Sequence, residues 1–243
     1  MTVKDLRLPL SEHLEEIRRR LLVVVLAFAV FSGAAFYFMD DIPAWLKIPG
    51  GTDLGTLAVF SPTSAILTFL KMAFFFGLVF SLPVLLYEIW MFIRPALTES
   101  MGWFGVLFII LGTGLFWAGA GFSFYFLIPA SLKFLLSLGR GELQFIISLD
   151  SYISFVLLFM LAGGAIFQIP LLAFFLAKVN LLTPEMMIRH WKLAVVVSFI
   201  AAALVTPTPD IVNMLILALP ILLLYGVSIG IVTMAKPAPA PQS

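Results

Sequence analysis

Residues Ser11 to Phe28 read SEHLEEIRRRLLVVVLAF: paired glutamates, three consecutive arginines, then a long apolar run. A soluble protein would have to bury that run, whereas a membrane helix carries it into lipid and leaves the charges at the surface. Composition decides between the two. Of 243 residues, 62% are hydrophobic, 14% aromatic and only 11% charged, too little polar material to cover a water-exposed globule. A bilayer core about 30 Å thick needs roughly 20 apolar residues per helix. The chain supplies six candidates, at 21–39, 69–93, 103–128, 152–177, 193–206 and 211–234.

The predicted fold is therefore an all-α polytopic membrane protein with six transmembrane helices, a single membrane domain over 1–236 followed by a flexible cytoplasmic tail over 237–243. The first run is expected to stay as an anchor, because it is long and leads into MDDIPAW rather than a small-residue cleavage site. From Ser11 to Phe38 one helix would reach about 42 Å at 1.5 Å per residue. Its first two turns, with Glu15 and Glu16, would then stand in the headgroups or the cytoplasm. Ser11 can cap that helix, and the acids of its opening turns suit the positive end of its dipole.

Lysine and arginine set the orientation, since cytoplasmic loops hold an excess of them. With both termini inside, Lys4, Arg7, Arg18, Arg19, Arg20, Arg94, Lys178, Arg189, Lys192 and Lys236 are cytoplasmic, 10 of the 14 basic residues. Two extracytoplasmic caps are then expected, both amphipathic: Asp40 to Thr68, and Ser131 to Tyr152 packed against it. Pro83, Pro129, Pro170, Pro207, Pro209 and Pro220 fall inside or at the ends of spans, where each removes a backbone donor and kinks or ends its helix. The fifth and sixth helices are read as a short spanning pair, because the fifth run of 14 residues reaches only about 21 Å.

Several chemistries are excluded. The chain has no cysteine and two histidines, which removes disulfides, thiolate chemistry and a His-based metal site. No phosphate-binding loop of the G-x-x-x-x-G-K-[ST] type is present. No catalytic residue, cofactor, metal or nucleic-acid partner is expected.

Five segments then agree, in order, with one family. HLEEIRRRL (13–21) resembles the amino-terminal motif H-L-x-E-L-R-x-R-L of the TatC family, the membrane receptor of the twin-arginine protein translocase. FSPTSAI (60–66) is similar to its S-P-T-E-P-F stretch, and LPVLLYEIWMFIRPAL (82–97) to its P-x-x-x-Y-x-x-W-x-F-I-x-P-A/G-L segment. AIFQIP (165–170) is similar to F-E-x-P, and TPTPD (206–210) precedes the last span as in the family. The resemblance covers essentially the whole chain. It implies a core receptor subunit in a bacterial or archaeal cytoplasmic membrane, binding paired-arginine signal peptides at its cytoplasmic face. Implied partners are single-span TatA and TatB-type subunits, those signal peptides, membrane lipid and further copies of the chain.

Matching the motif makes Glu16, not Glu15, the functional glutamate, with Arg18 and Arg20 beside it. The chemistry suits the residue type, since a carboxylate matches a planar guanidinium through two parallel hydrogen bonds. The bland alternative is an intrahelical pair of Glu16 with Arg19 or Arg20, worth about 0.2–0.5 kcal/mol. The second segment would contribute Phe92, Pro95 and Leu97. The family's second glutamate, six positions after that proline, is replaced here by Met101, leaving Glu99 as the nearby carboxylate. Gln168, where the family has Glu, is expected with Pro170 and Asp210 to contact a partner or the signal peptide, or in the case of Gln168 to bond a neighbouring helix. Asp210 can also cap the last helix. Ser61 and Pro62 form a structural cap, and Glu88, beside Tyr87 and Trp90, reads as an interfacial anchor. The competing function, a six-span permease for a small solute, would need a polar midplane site on broken helices, for which the sequence offers little beyond Gln168.

Overall fold

The computed structural model describes residues 10–38, 42–51, 57–94, 102–137, 146–206 and 210–235, with side chains at 10–13, 102 and 104 left aside. Pro95, Leu97, Glu99, Met101, Pro207, Pro209 and the Gly-Arg-Gly segment at 139–141 lie outside the described residues.

The helices are α1 (Leu10–Tyr37), α2 (Ile42–Leu46), α3 (Pro62–Ile93), α4 (Gly102–Phe122), α5 (Ile128–Ser137), α6 (Leu149–Ile166), α7 (Ile169–Lys178), α8 (Pro184–Arg189), α9 (Trp191–Val205) and α10 (Ile211–Met234). Among the described residues, five stretches are long and apolar enough to cross a bilayer: Leu14–Tyr37, Pro62–Ile93, Gly105–Ser137, Leu149–Lys178 and Ile211–Met234. A shorter apolar helix, α9, makes the sixth. Of the last two helices, expected as a short pair, α9 is short at 15 residues, whereas α10 runs 24, about 36 Å.

The prolines divide by position. Pro62 opens α3 in its first turn, behind Ser61, whose hydroxyl accepts from the Ser64 backbone N–H at 3.1 Å. There proline's missing donor is harmless. Pro170 sits likewise in the first turn of α7, just past a break after α6 at Phe167 and Gln168. Pro83 and Pro220 are carried inside helices. Pro129, one of the prolines expected to kink or end a helix, does not end this one, which continues past it to Ser137. A π turn over Ser123–Leu127 precedes the proline, with the Ile128 N–H reaching back to Ser123 O. Widening the helix one turn before Pro129 accommodates the ring and the freed carbonyl without a break.

Close helix crossings use small residues, as expected where lipid supplies no hydrophobic drive between helices. Gly119 and Gly163 bring α4 and α6 into backbone contact, and Gly77 of α3 lies so close to Ser32 of α1 that a β-carbon there would collide with it. The core is aromatic and aliphatic, with Phe124, Tyr152, Phe159, Met72 and Leu217 all but fully buried.

At one end of the bundle the two caps meet. Ala58 bridges Ser148 in parallel, with Ala58 N–H on Ile147 O at 3.0 Å and Leu149 N–H on Ala58 O at 2.9 Å. Trp45 of α2 stacks on Phe124 at 4.4 Å, and the buried Tyr152 hydroxyl donates to Leu46 O at 3.0 Å. Lys71 of α3 pairs with Asp150 of α6 at 2.6 Å, and Thr68 donates to the same carboxylate. The start of α1, the end of α3, α8 and the end of α10 gather at the opposite end. Trp90 touches Phe108 of α4 and Phe175 of α7, and Met187 of α8 packs with Ala173, Ala177 and Val232.

Candidate functional site

The charged end of α1 lies along the end of α3, and one guanidinium joins them. Arg20 donates through Nε to Glu16 Oε1 at 3.0 Å and also through Nη2 to that same oxygen. Its Nη1 donates to Glu88 Oε2 at 3.0 Å, and Nη2 reaches Met91 O at 3.3 Å. Glu16 and Arg20 are one helical turn apart, so the intrahelical pair follows from α1 alone. Glu88 is different, because it reaches Arg20 only through the packing of α3 on α1.

That packing is fixed from behind. The Trp90 ring is 5% exposed, lies over Gly105 where any side chain would collide with it, and meets Phe108 and Phe175. On a helix, residues 88 and 90 point in different directions, about 200° apart. With Trp90 locked into the core, Glu88 is turned toward α1.

The cluster is half open. Side-chain exposure is 21% for Arg20, 33% for Glu16 and 14% for Glu88. A groove of about 630 Å³ opens on it, lined by Glu15, Glu16, Arg19, Arg20, Val23, Tyr87, Glu88 and Met91. On the other side of the same ion pair is a smaller apolar groove of about 320 Å³, walled by Ile17, Leu21, Val24, Leu85, Ile89 and Phe92. The Arg20–Glu88 pair therefore forms the partition between a polar trough and an apolar one. A segment carrying cations followed by apolar residues fits both in succession.

Of the residues singled out in the sequence, Glu16, Arg20 and Phe92 come together here. Arg18 is exposed and does not line either groove. Gln168 lies away from the cluster, its Nε2 donating to Gly112 O of α4 at 2.8 Å, and Pro170 is buried beside it. Asp210 caps α10, accepting from the Asn213 backbone N–H at 2.7 Å and from its side-chain amide at 2.9 Å. Glu88, read as an interfacial anchor, belongs to the cluster. A signal was available: Glu88 is the lone acid between residues 69 and 94. Among the described residues no group of acids and histidines could hold a metal ion.

Fold and site together define a multi-pass helical membrane protein with a charged, groove-lined end. The model of the family described as Sec-independent protein translocase protein (TatC) matches residues 12–220. A TatC protein of Helicobacter pylori is 37% identical over 230 residues, 95% of this chain and 91% of the relative, and one from Aquifex aeolicus is 36% identical over 91% and 93%. A crystal structure described as the twin arginine translocase receptor TatC superposes with a TM-score of 0.83 at 34% identity, covering 92% of this chain and 99% of that one. The chain belongs to the TatC family, components of the Sec-independent protein translocase.

Proposed function

We propose that this chain is the signal-peptide receptor of a twin-arginine translocase, lying in a bacterial or archaeal cytoplasmic membrane with both termini inside and carrying no catalytic activity of its own. The observation that supports this reading is Glu16: a half-exposed carboxylate, at the rim of an open groove, already engaged by a guanidinium. An arginine side chain presented from outside meets the same acceptor. The apolar groove beside it, with Phe92, suits the apolar stretch that would follow the arginines. Glu99 supplies the second acceptor in this reading, and Arg18, Pro95 and Leu97 are further signal-peptide-binding residues.

Export then requires assembly with single-span subunits of the TatA and TatB type. Gln168, Pro170 and Asp210 serve such partners through shape. The Gln168 amide is committed to Gly112, and with Pro170 it sets the break between α6 and α7 against which a partner helix would lie. The same commitment weighs against a permease, whose midplane site would need that amide for its solute.

The test is binding of a peptide with two consecutive arginines to the detergent-solubilised protein. Glu16→Ala should weaken binding about tenfold or more, in keeping with loss of a hydrogen bond to a charged group, and Glu15→Ala much less. Equal losses would reduce the interaction to general charge.

A further inference from the structure

The guanidinium already seated on Glu16 belongs to the receptor itself. It occupies the acceptor that a ligand's arginine would need, and it is held at a second point by Glu88 Oε2 at 3.0 Å. We propose that Arg20 is a resident competitor for Glu16 and that Glu88 is the acid to which it retreats when a ligand arrives, so that this exchange sets how tight a ligand's contact with Glu16 must be. The inference deepens the reading of Glu16 as the signal-peptide acceptor and rests on it.

Three features carry it. Arg20 spends two donors, Nε and Nη2, on Glu16 Oε1 and a third, Nη1, on Glu88, so it can release the first carboxylate without leaving its charge unpaired. Both acids and the arginine line the same open groove, so exchange needs no helix to part. The second contact of Nη2, with Met91 O at 3.3 Å, lies on the α3 side and draws the side chain toward Glu88 rather than away from both.

Selectivity follows from what each ligand returns. An incoming guanidinium replaces the planar two-donor contact that Arg20 gives up. A lysine ammonium is a compact, strongly hydrated point charge without that fork, and it must still displace Arg20. Expelling Arg20 costs both ligands the same, so the preference between them comes from the returned contact, and the competitor lowers the affinity of each alike. Without Glu88 the expelled Arg20 would be left beside the ligand's own cations, so the exchange would cost more for every ligand.

The experiment uses the full chain in detergent with two fluorescent peptides, identical except that one carries Arg-Arg and the other Lys-Lys ahead of an apolar run. In the parent the Arg-Arg peptide binds preferentially. Arg20→Gln should bind both peptides more tightly, by about tenfold, the low end of what one hydrogen bond to a charged group contributes, and leave their ratio unchanged. Glu88→Gln should weaken the Arg-Arg peptide, and adding Arg20→Gln to Glu88→Gln should restore it, because no cation then needs a place to go. Thermal unfolding of each variant in the same detergent identifies any that lose the fold, and Arg20→Lys, which keeps charge and bulk, replaces Arg20→Gln if that variant is one of them. It should tighten both peptides in the same direction, since an ammonium lacks the two-donor fork that holds Glu16.

If Arg20→Gln and Arg20→Lys bind both peptides no more tightly than the parent, Arg20 only holds the helices together and the competitor idea is overturned while Glu16 as acceptor stands. The idea is equally overturned if the double variant binds no better than Glu88→Gln alone. If Glu16→Gln binds both peptides like the parent, the acceptor reading fails and takes the exchange with it.

Discussion

Gly163 of α6 lies so close to Gly119 of α4 that a β-carbon on Gly163 would stand 2.7 Å from the Gly119 carbonyl oxygen and nearer still to the Ser123 hydroxyl. Neither neighbour is the free end of a flexible side chain, since one is backbone and the other sits in the π turn. Gly163→Ala should therefore lower stability by about 1–3 kcal/mol, the usual cost of overpacking. Gly114 of α4 has nothing within 4 Å of its β-position. Gly114→Ala should be neutral or stabilise by about 0.5–1 kcal/mol through helix propensity. Thermal unfolding in one detergent measures both, and equal effects would mean that the crossing is looser than described.

Tyr152 ties the cap to the bundle. Its ring is 2% exposed and its hydroxyl donates to Leu46 O at 3.0 Å, across 106 positions of sequence. Tyr152→Phe keeps the ring and leaves a carbonyl without that donor, which should cost about 1–3 kcal/mol. The loss should be local: hydrogen exchange ought to quicken at α2 while α3 keeps its protection. Uniform quickening would show that the bond supports the whole fold and not the cap alone.

Much of this architecture can be read from sequence because bilayer thickness forces long apolar runs, and such runs survive any packing arrangement. The bounds of α3 and α5 were less legible. Ser61 and Pro62 open α3 before the hydrophobic run at Phe69 begins, and Pro129 looks like a stop until the π turn ahead of it is known. At the site, Glu16 and Arg20 share one helix, so their pairing is written in a four-residue spacing. Glu88 reaches them across 68 positions, through a rotation of α3 that Trp90, Phe108 and Phe175 impose, and no local pattern encodes that rotation. Gln168 was legible as a polar residue at depth, but its partner is a backbone carbonyl, which has no residue identity to announce it.

Orientation can be tested on a chain that has no cysteine of its own. Val59 and Leu181 are both exposed, at 52% and 67%, one in the cap region and one between α7 and α8. With both termini in the cytoplasm, Val59→Cys should react with an impermeant maleimide added to intact cells. Leu181→Cys should react only after the cells are opened. The reverse pattern would invert the proposed topology.

Gln168 donates to Gly112 O at 2.8 Å, so its substitutions should rank by what they present to that carbonyl. Gln168→Leu keeps the bulk and loses the bond, a cost of about 0.6 kcal/mol on average and up to about 1.7 for hydrogen bonds between membrane helices. Gln168→Glu should cost more than Gln168→Leu at neutral pH, because an ionised carboxylate would face an acceptor where the amide offered a donor. Gln168→Asn shortens the reach by one methylene and should fall near the leucine variant. Thermal unfolding of the three in one detergent gives the order. If Gln168→Glu proves as stable as the parent, the amide is not the donor to Gly112, and the break between α6 and α7 is held by Pro170 and the packing of Phe167 against Phe122 without help from the side chain of Gln168.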